Sequence, residues 1–449
     1  MNSFQPTDVH AQLGDRFYAK VDAAQFDNLA LRHRNQRALT SIGLGQASDA
    51  FLKKHFLDFV PFEESFPQPL ALAYHGHQFR HYNPDIGDGR GFLFAQAYDL
   101  QGRLLDMGTK GSGQTPFSRS GDGRLTLQGG VREVLAAGML EHRGVYTSKA
   151  LVLFETTDRL ERHDEPSPTR AGVLTRLSHG HIRIGTFQRL AALGDDEAIE
   201  KLVHHCLQYY LTETDPYDDG GSAKALMMFR KVTARMAWLV AEWMAAGFVH
   251  GVLNTDNLTI TAESFDYGPF RFLERYDPGF TAAYFDHSGL YAYARQPEAV
   301  GWALARLAEC LIGQASQDDL QVALDGFAPL YKQAWLTQHL KLAGLAPNTT
   351  DIDALASGLL ANIQKHDGPF VHLHGHLRKE FKGHVDVREI SDSPHMMMPM
   401  HHKIIEGIWS PIHQHDDWQK YDDFLSTQFQ KPCVSLRAGI AGAPPQHLA

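Results

Sequence analysis

The sequence predicts an α+β protein with two lobes, a small mixed-sheet lobe followed by a larger helical lobe. Two observations carry this prediction. Between residues 72 and 155, the short apolar runs GFLFAQAYD, RLLDMGTK and KALVLFET alternate with glycine-rich turns, which is typical of strands. From about Asp195 onward, apolar residues recur instead at helical spacing, most clearly in Lys201–Leu211, Ala223–Ala246 and Gln296–Ile312.

These changes along the chain divide it into four predicted segments. Residues 1–71 contain short amphipathic runs and predict a helical N-terminal extension. Residues 72–175 form the sheet lobe, which one helix at about Leu125–His142 interrupts, and residues 176–370 form the helical lobe. Residues 371–449 are rich in His and Met and form a C-terminal extension.

Composition restricts the class of protein. The 449-residue chain has a net charge of −10, which argues against nucleic acid as an obligatory partner. Its three cysteines show no C-x-x-C spacing, which indicates a reducing compartment. The N-terminus, MNSFQPTDVH, lacks the apolar region of a signal peptide, and the most apolar long stretch contains Glu242 and His250. We therefore expect a cytoplasmic protein without membrane partners.

The stretch HGVLNTDN, His250 to Asn257, resembles the catalytic loop H-R-D-L-x-x-x-N of protein kinases. His250 and Asn257 have the required spacing, but Val252 occupies the position of the catalytic aspartate and cannot accept a proton. Asp256 is the only carboxylate in the loop and is the candidate for a relocated base. The alternative is a structural role for Asp256 in the turn.

A second kinase-like signal follows nine residues after Asn257. LTI and SFD are predicted as two short strands, and the second ends in Asp266-Tyr267-Gly268, which resembles the kinase D-F-G motif. In kinases this aspartate and the loop asparagine hold magnesium, which takes few protein oxygens and keeps waters and phosphates. Asn257 and Asp266 are therefore the predicted metal ligands.

Charged residues of the sheet lobe complete the comparison with kinases. Lys110 ends a predicted strand and Glu133 follows 23 positions later on a predicted helix, as in the lysine–glutamate pair that contacts nucleotide phosphates. Arg176 and Arg183 could join Lys110 in neutralising a polyphosphate. The alternatives are a solvated strand-end lysine for Lys110, a helix-surface partner of Arg132 or Arg143 for Glu133, and surface ion pairs for the two arginines.

Two Gly-Asp-Gly-Arg turns, in IGDGRGFLF and in SGDGR, could line a nucleotide site, because glycine lets the backbone approach phosphates closely. Considered alone, such a motif is more often an ordinary hairpin turn.

Together, these motifs resemble the selenoprotein-O family, also called the YdiU or UPF0061 family, which has a protein-kinase-like fold. The resemblance covers roughly residues 72–315, and its motifs occur in the same order. The matching stretches are YHGHQFRHYNPDIGDGRGFLF, KGSGQTPFSRSGDGR, VREVL, GVLTRLSHGHIRIGTF, GFVHGVLNTDNLTI and FDYGPF.

The resemblance implies a protein adenylyltransferase, which moves AMP from ATP to hydroxyl groups of proteins and of itself, and it leaves uridylyl transfer open. It also implies that ATP binds in an orientation reversed from that in ordinary kinases. Asp256 becomes the proton acceptor, and Asn257 and Asp266 hold Mg²⁺ or Mn²⁺. The residues it assigns to the nucleotide are Gly87, Gly89, Arg90, Lys110, Glu133, Asp122, Gly123, Arg176, Arg183 and Asp266.

Two other functions stay open from the residues alone. One is a kinase-like phosphotransferase with Asp256 as a relocated base, and the other is a nucleotide-binding pseudokinase that acts as a scaffold. The C-terminal histidines allow a metal site, but a His-rich surface or tail is favoured, because no familiar zinc spacing is complete. The histidines concerned are His372, His374, His376, His395, His401, His402, His413 and His415.

Overall fold

The computed structural model describes residues 4–163, 165–213, 221–390 and 398–429. In this part of the chain a large antiparallel sheet comes first, a group of helices follows, and the loops between them carry the predicted site residues. The predicted α+β class and the order of the two lobes are confirmed. No helix in these ranges is both long and apolar enough to cross a membrane.

The sheet lobe is built from strands that alternate along the chain with tight turns. Its strands are β1 Gln5–Thr7, β2 Tyr18–Lys20, β3 Asn28–Arg34, β4 Leu70–Leu72, β5 Gly76–Gln78, β6 His81–Asn83, β7 Leu93–Tyr98, β8 Leu104–Lys110, β9 Leu125–Thr126, β10 Lys149–Leu160 and β11 Thr169–Ser178. The large sheet has the order β2-β4-β7-β8-β11-β10-β3, with β1 paired to β7 and β9 paired to β11. Strands β5 and β6 form a separate hairpin. The apolar runs predicted as strands correspond to β7, β8 and β10.

The N-terminal segment differs from the helical extension that the sequence predicts. Strands β1, β2 and β3 lie within residues 1–71 and pair with strands of the sheet lobe. Their sequences are short and partly polar, so they show neither a helical nor a strand period; pairing with β7, β4 and β10 makes them strands. The expectation of an all-helical N-terminus is therefore wrong, and the other predicted boundaries stay predictions.

Helices cover both faces of the sheet. The helices of this half are α1 Gln36–Ser41, α2 Asp49–Phe56 and α3 Leu127–His142. Apolar residues of α1 and α2 pack on one face in one buried cluster, and those of α3 belong to the other cluster. Thr126 is the N-cap of helix α3, and its side-chain hydroxyl accepts a hydrogen bond from the backbone N–H of Gly129. Gly130 lets α3 approach β10, because a Cβ there would lie 2.7 Å from a methyl group of Leu153.

The helical lobe is organised around one long buried helix. Its helices are α4 Ile184–Ala192, α5 Asp196–Tyr209, α6 Lys224–Ala246, α7 Gln296–Leu311, α8 Gln317–Asp325, α9 Phe327–Leu342, α10 Ile352–Lys365, α11 Leu373–Phe381, α12 His402–His415 and α13 Gln419–Phe429. Helix α6 contacts α5, α7, α8 and α9, which explains its apolar character on more than one side. The helices predicted at 201–211, 223–246 and 296–312 correspond to α5, α6 and α7.

The segment between α6 and α7 is mostly loop. Strands β12 Phe248–Val249 and β13 Arg271–Phe272 pair at its base, and Thr255–Asn257 form a single 3₁₀ turn. LTI and SFD are not the two strands predicted, because Thr259 and Ser264 make only isolated bridges to Arg183 and Thr147. Among the described residues the segment has no longer strand pairing, so this largely buried stretch is irregular.

The C-terminal histidines do not lie on a strand. A short ladder joins β14 Leu345–Pro347 to β15 Val387–Glu389, while His374 and His376 lie on α11. His374 is buried and contacts His339 with 3.2 Å between ring nitrogens. His395 lies outside the described residues. Where the chain is described, no cluster of three or more His, Cys, Asp or Glu is arranged to hold a metal ion.

Candidate active site

Lys110 lies at the centre of the site, at the end of buried strand β8. Its ammonium group forms ion pairs with both Glu133 and Asp266. The side chains of Lys110 and Glu133 are only 6% and 4% exposed. Each buried charge therefore needs the opposite charge of its partner to offset the free-energy cost of leaving water. The predicted lysine–glutamate pair therefore exists, and Asp266 joins it from the helical lobe.

Asp266 occupies a strained and strongly cationic position. Its backbone is left-handed, with φ of +67°, which is unfavourable for a residue with a Cβ and is typical of functional sites. Burial alone would raise the pKa of its carboxyl, but Lys110, Arg176 and Arg90 hold that pKa well below its usual value. The carboxyl group of Asp266 is therefore ionised at neutral pH.

Arg176 reaches the same group because of strand register. Arg176 pairs with Gly108, two residues before Lys110, and residues two apart on a strand share a face. The Arg176 guanidinium lies 3.3 Å from Asp266 Oδ1. The prediction that Arg176 clusters with Lys110 agrees with this geometry.

Arg183 lies at the start of α4, and its guanidinium lies over the Phe265 ring, as that of Arg176 does. Its guanidinium carbon lies 5.2 Å from the centre of that ring and 4.2 Å from that of Tyr74, and Arg176 lies 5.6 Å from Phe265. Arg183 also pairs with Asp88 at 3.1 Å. Asp88, Tyr74 and Phe265 were missed from sequence, although Asp88 stands inside the first Gly-Asp-Gly-Arg turn.

The catalytic-loop carboxylate lies in a different environment. Burial raises the pKa of Asp256 to about 6, an effect that Arg183 opposes and Asp266 reinforces. Its Oδ1 atom is buried and has no hydrogen-bond partner among the described residues. A carboxylate with a pKa near neutrality and a free buried oxygen is suited to accept a proton.

Asn257 and Asp266 provide oxygen atoms that suit a divalent metal. Asn257 Nδ2 donates to the carbonyl of Val252 at 3.0 Å, which leaves Oδ1 available to a cation. Lys110 and Arg176 both contact Oδ1 of Asp266, and within the described residues no hydrogen bond reaches Oδ2. One amide and one carboxylate oxygen fit Mg²⁺ or Mn²⁺, which would take its other ligands from water and phosphate.

The first glycine turn packs on the loop that precedes the second turn. A Cβ at Gly87 would lie 2.4 Å from the ring of Phe117, and one at Gly89 would lie 2.8 Å from its carbonyl oxygen. Close packing therefore already requires both glycines. Arg90 beside them is exposed, and its charge acts on Asp266.

The second turn is held by an ion pair. Asp122 accepts hydrogen bonds from Arg162 at 2.8 Å and from the backbone of Arg124 at 2.9 Å. Gly123 has φ of +70°, and a Cβ there would collide with Gly113. These contacts order the turn, and the nucleotide roles of Asp122 and Gly123 stay predictions.

Comparison with known proteins identifies the relatives of this chain. The family model described as protein adenylyltransferase SelO matches residues 2–398. The protein nucleotidyltransferase YdiU of Synechocystis sp. is 47% identical over 341 residues, which are 76% of this chain and 70% of that protein. The protein of the same name from Trichodesmium erythraeum is 38% identical over 460 residues, which are 92% and 96% of the two chains.

A solved structure also matches at a greater distance. ROP2 from Toxoplasma gondii, described as having a protein-kinase fold, is 12% identical, with a TM-score of 0.28 over 74% of this chain and 92% of that one. This likeness is too weak to carry an argument about the site.

Proposed function

Because this chain belongs to the family of the protein adenylyltransferase SelO, it is a protein nucleotidyltransferase with ATP as its substrate, and we propose that it transfers AMP to Ser, Thr or Tyr hydroxyl groups. We also propose that the protein itself is one acceptor. The observation that carries the proposal is the environment of Asp256. This carboxylate, whose Oδ1 atom is buried, has a pKa of about 6 and lies beside Asn257, in a loop that lacks the usual base at Val252.

In the proposed reaction, Asp256 accepts the proton of the acceptor hydroxyl. The hydroxyl oxygen then forms a bond to the α-phosphorus of ATP, and the bond between that phosphorus and the α–β bridging oxygen breaks. Pyrophosphate leaves with the bonding electrons. Asp256 can serve this reaction only if the α-phosphate lies near it, which agrees with a reversed nucleotide.

The leaving group would lie among the cations. Lys110, Arg176 and Arg183 form one buried cationic group around Asp266 and Phe265. Fixed cations of this kind stabilise negative charge that develops on pyrophosphate, and they need no reorganisation during the reaction. Arg90 extends this positive charge to the surface, which supports the assignment of the first glycine turn to the nucleotide.

A divalent metal would add further charge neutralisation. Asn257 Oδ1 and Asp266 Oδ2 are the atoms that would hold it. When bound, such an ion would neutralise negative charge on the phosphates of the nucleotide. The ion pairs of Asp266 with Lys110 and Arg176 keep its carboxylate ionised for this role.

Neither alternative function is better supported. A phosphotransferase would use the same residues, but no observation places the γ-phosphate near Asp256. A scaffold without catalysis would not require Lys110, Glu133 and Asp266 to form a complete ion-pair group.

Isotope labelling tests the proposal. The protein is incubated with Mg²⁺ or Mn²⁺ and ATP labelled on the α- or the γ-phosphate, alone and with casein as an acceptor. We expect label from α-labelled ATP only, a mass increase of one AMP group, and about 10²- to 10⁴-fold slower labelling with Asp256→Asn. Label from γ-labelled ATP alone would contradict adenylyl transfer and favour a phosphotransferase.

A further inference from the structure

The β5–β6 hairpin lies directly on the catalytic loop. The backbone N–H of His77 donates to Thr255 Oγ1 at 2.7 Å, and that of Phe79 donates to Asn254 Oδ1 at 3.0 Å. The two acceptor residues immediately precede Asp256 in the chain. The sheet lobe therefore holds the segment that carries the proposed base.

The tip of this hairpin is kept in an unfavourable conformation. Phe79 and Arg80 have φ of +50° and +66°, a left-handed backbone that residues with large side chains rarely adopt. The ring of Phe79 lies 5.0 Å from that of Tyr291, whose hydroxyl donates to Asn254 Oδ1 at 2.9 Å. Contacts with the helical lobe thus impose the position of the hairpin.

Thr255 connects the hairpin to helix α4. Its side chain is fully buried, and its hydroxyl accepts from His77 N–H and donates to Gln188 Oε1 at 2.5 Å. Gln188 Nε2 in turn lies 2.7 Å from His77 Nδ1, which closes a ring of three residues. Gln188 is on α4. This helix starts at Arg183, which we propose to bind the phosphates of the nucleotide.

We propose that Thr255 is a positioning residue, whose buried hydroxyl fixes Asp256 relative to both the β5–β6 hairpin and α4. This inference rests on the proposed role of Asp256 as the base. The ring of bonds through Thr255 sets the distance between that base and the Arg183 end of the site, so it aligns the acceptor hydroxyl with the phosphorus.

Little space exists for Asp256 to move without these contacts changing. A Cβ added to Gly76 would lie 3.1 Å from Asp256 Oδ1 and 3.1 Å from Thr255 Oγ1. The base is therefore confined between the hairpin and its own loop. A small displacement of a reacting group, of about 1 Å, can reduce a rate about 10²-fold.

The test compares kcat with nucleotide binding in Thr255→Val. Valine keeps the shape of threonine and removes the hydroxyl. AMP transfer from α-labelled ATP to casein is measured, together with the KM for ATP and the affinity for a non-hydrolysable ATP analogue. We expect kcat to fall about 10- to 100-fold while both nucleotide constants stay within about twofold of wild type.

Two further variants separate positioning from a general loss of structure. Thr255→Ser restores the hydroxyl and should recover kcat to within about threefold of wild type. Thr233→Val makes the same change at a buried threonine on α6, whose hydroxyl has no partner in the described part of the chain, and should leave kcat unchanged. If Thr255→Val does not fold, Gln188→Met removes the same bond from α4 and should give the same selective fall in kcat.

The inference is overturned if folded Thr255→Val keeps the kcat of wild type, if Thr255→Ser fails to restore it, or if nucleotide affinity falls as much as kcat. Failure of the proposed function gives a different result. In that case the wild-type protein transfers no α-label, or Asp256→Asn remains fully active.

Discussion

Asp266 and Asp256, which lie on the two sides of the site, have opposite electrostatic environments. Asp266 contacts Lys110 and Arg176, and these cations, with Arg90, keep its pKa well below the usual value despite burial. Asp256 is also largely buried, but its Oδ1 has no partner in the described chain, and burial raises its pKa to about 6.

The difference indicates how the environment, and not the residue type, can separate the roles that we propose for the two carboxylates. A carboxylate held by cations stays ionised at every physiological pH and can bind a metal. A carboxylate that burial destabilises takes up a proton readily. Sites that separate the pKa values of two acids in this way commonly divide the chemistry between them.

The largest expected effect on activity comes from removing the charge of Asp266, the aspartate that pairs with cations. Asp266→Asn removes the charge that Lys110 and Arg176 face, together with a proposed metal ligand. We expect AMP transfer to fall by at least about 10³-fold and metal-dependent nucleotide binding to weaken. Near-normal turnover of the purified variant, measured with α-labelled ATP, would show that the metal assignment is wrong.

Glu133→Gln, which changes the other carboxylate that pairs with Lys110, should lower activity less. The change weakens the hold on Lys110, but Asp266 still pairs with the ammonium group. We expect kcat/KM to fall about 10- to 100-fold. Glu141→Gln is a matched control on the same helix, because Glu141 pairs with Arg37 away from Lys110. An equal loss in both variants would indicate damage to α3 and not to the site.

The pH dependence of AMP transfer should report the ionisation of Asp256, the proposed base. Asp256 accepts a proton only when it is ionised, and its pKa is about 6. We therefore expect kcat/KM of wild type to fall about tenfold for each pH unit below about 6. The profile is measured from pH 5 to 8 with the fold monitored by circular dichroism. A rate that stays constant down to pH 5 would exclude Asp256 as the titrating base.

Stability should change in opposite directions for the two aspartates. The pKa of Asp256 is raised from 3.8 to about 6, so its ionisation destabilises the folded state as pH rises through that interval. Asp256→Asn should therefore raise the midpoint of thermal unfolding at pH 7, by about 2–4 °C. The pKa of Asp266 is lowered, so its carboxylate stabilises the fold above its usual pKa, and Asp266→Asn should lower the midpoint. If both variants shift the unfolding midpoint in the same direction, the opposite electrostatic environments of the two aspartates are contradicted.

Kinase-like spacing predicted the candidate site residues from sequence, and the structure brings Lys110, Glu133 and Asp266 into contact. Lys110, Glu133, Asn257 and Asp266 each stand at a position where the motif requires that residue type. The strands β1, β2 and β3 were missed, since tertiary pairing and not local pattern makes them strands. Asp88, Thr255 and Gln188 were missed because their partners are distant in sequence and only the fold brings them together.

The most direct test of the comparison measures binding and transfer side by side in Asp256→Asn and Asp266→Asn. Binding of ATP with Mg²⁺ or Mn²⁺ is measured by calorimetry, and AMP transfer is measured with α-labelled ATP on the same preparations. We expect Asp256→Asn to bind nucleotide as wild type does while transfer falls by about 10²–10⁴-fold. We expect Asp266→Asn to show both weaker metal-dependent nucleotide binding and a fall in transfer of at least about 10³-fold. If Asp256→Asn loses nucleotide binding, or still transfers AMP at the wild-type rate, the assignment of Asp256 as the base is wrong.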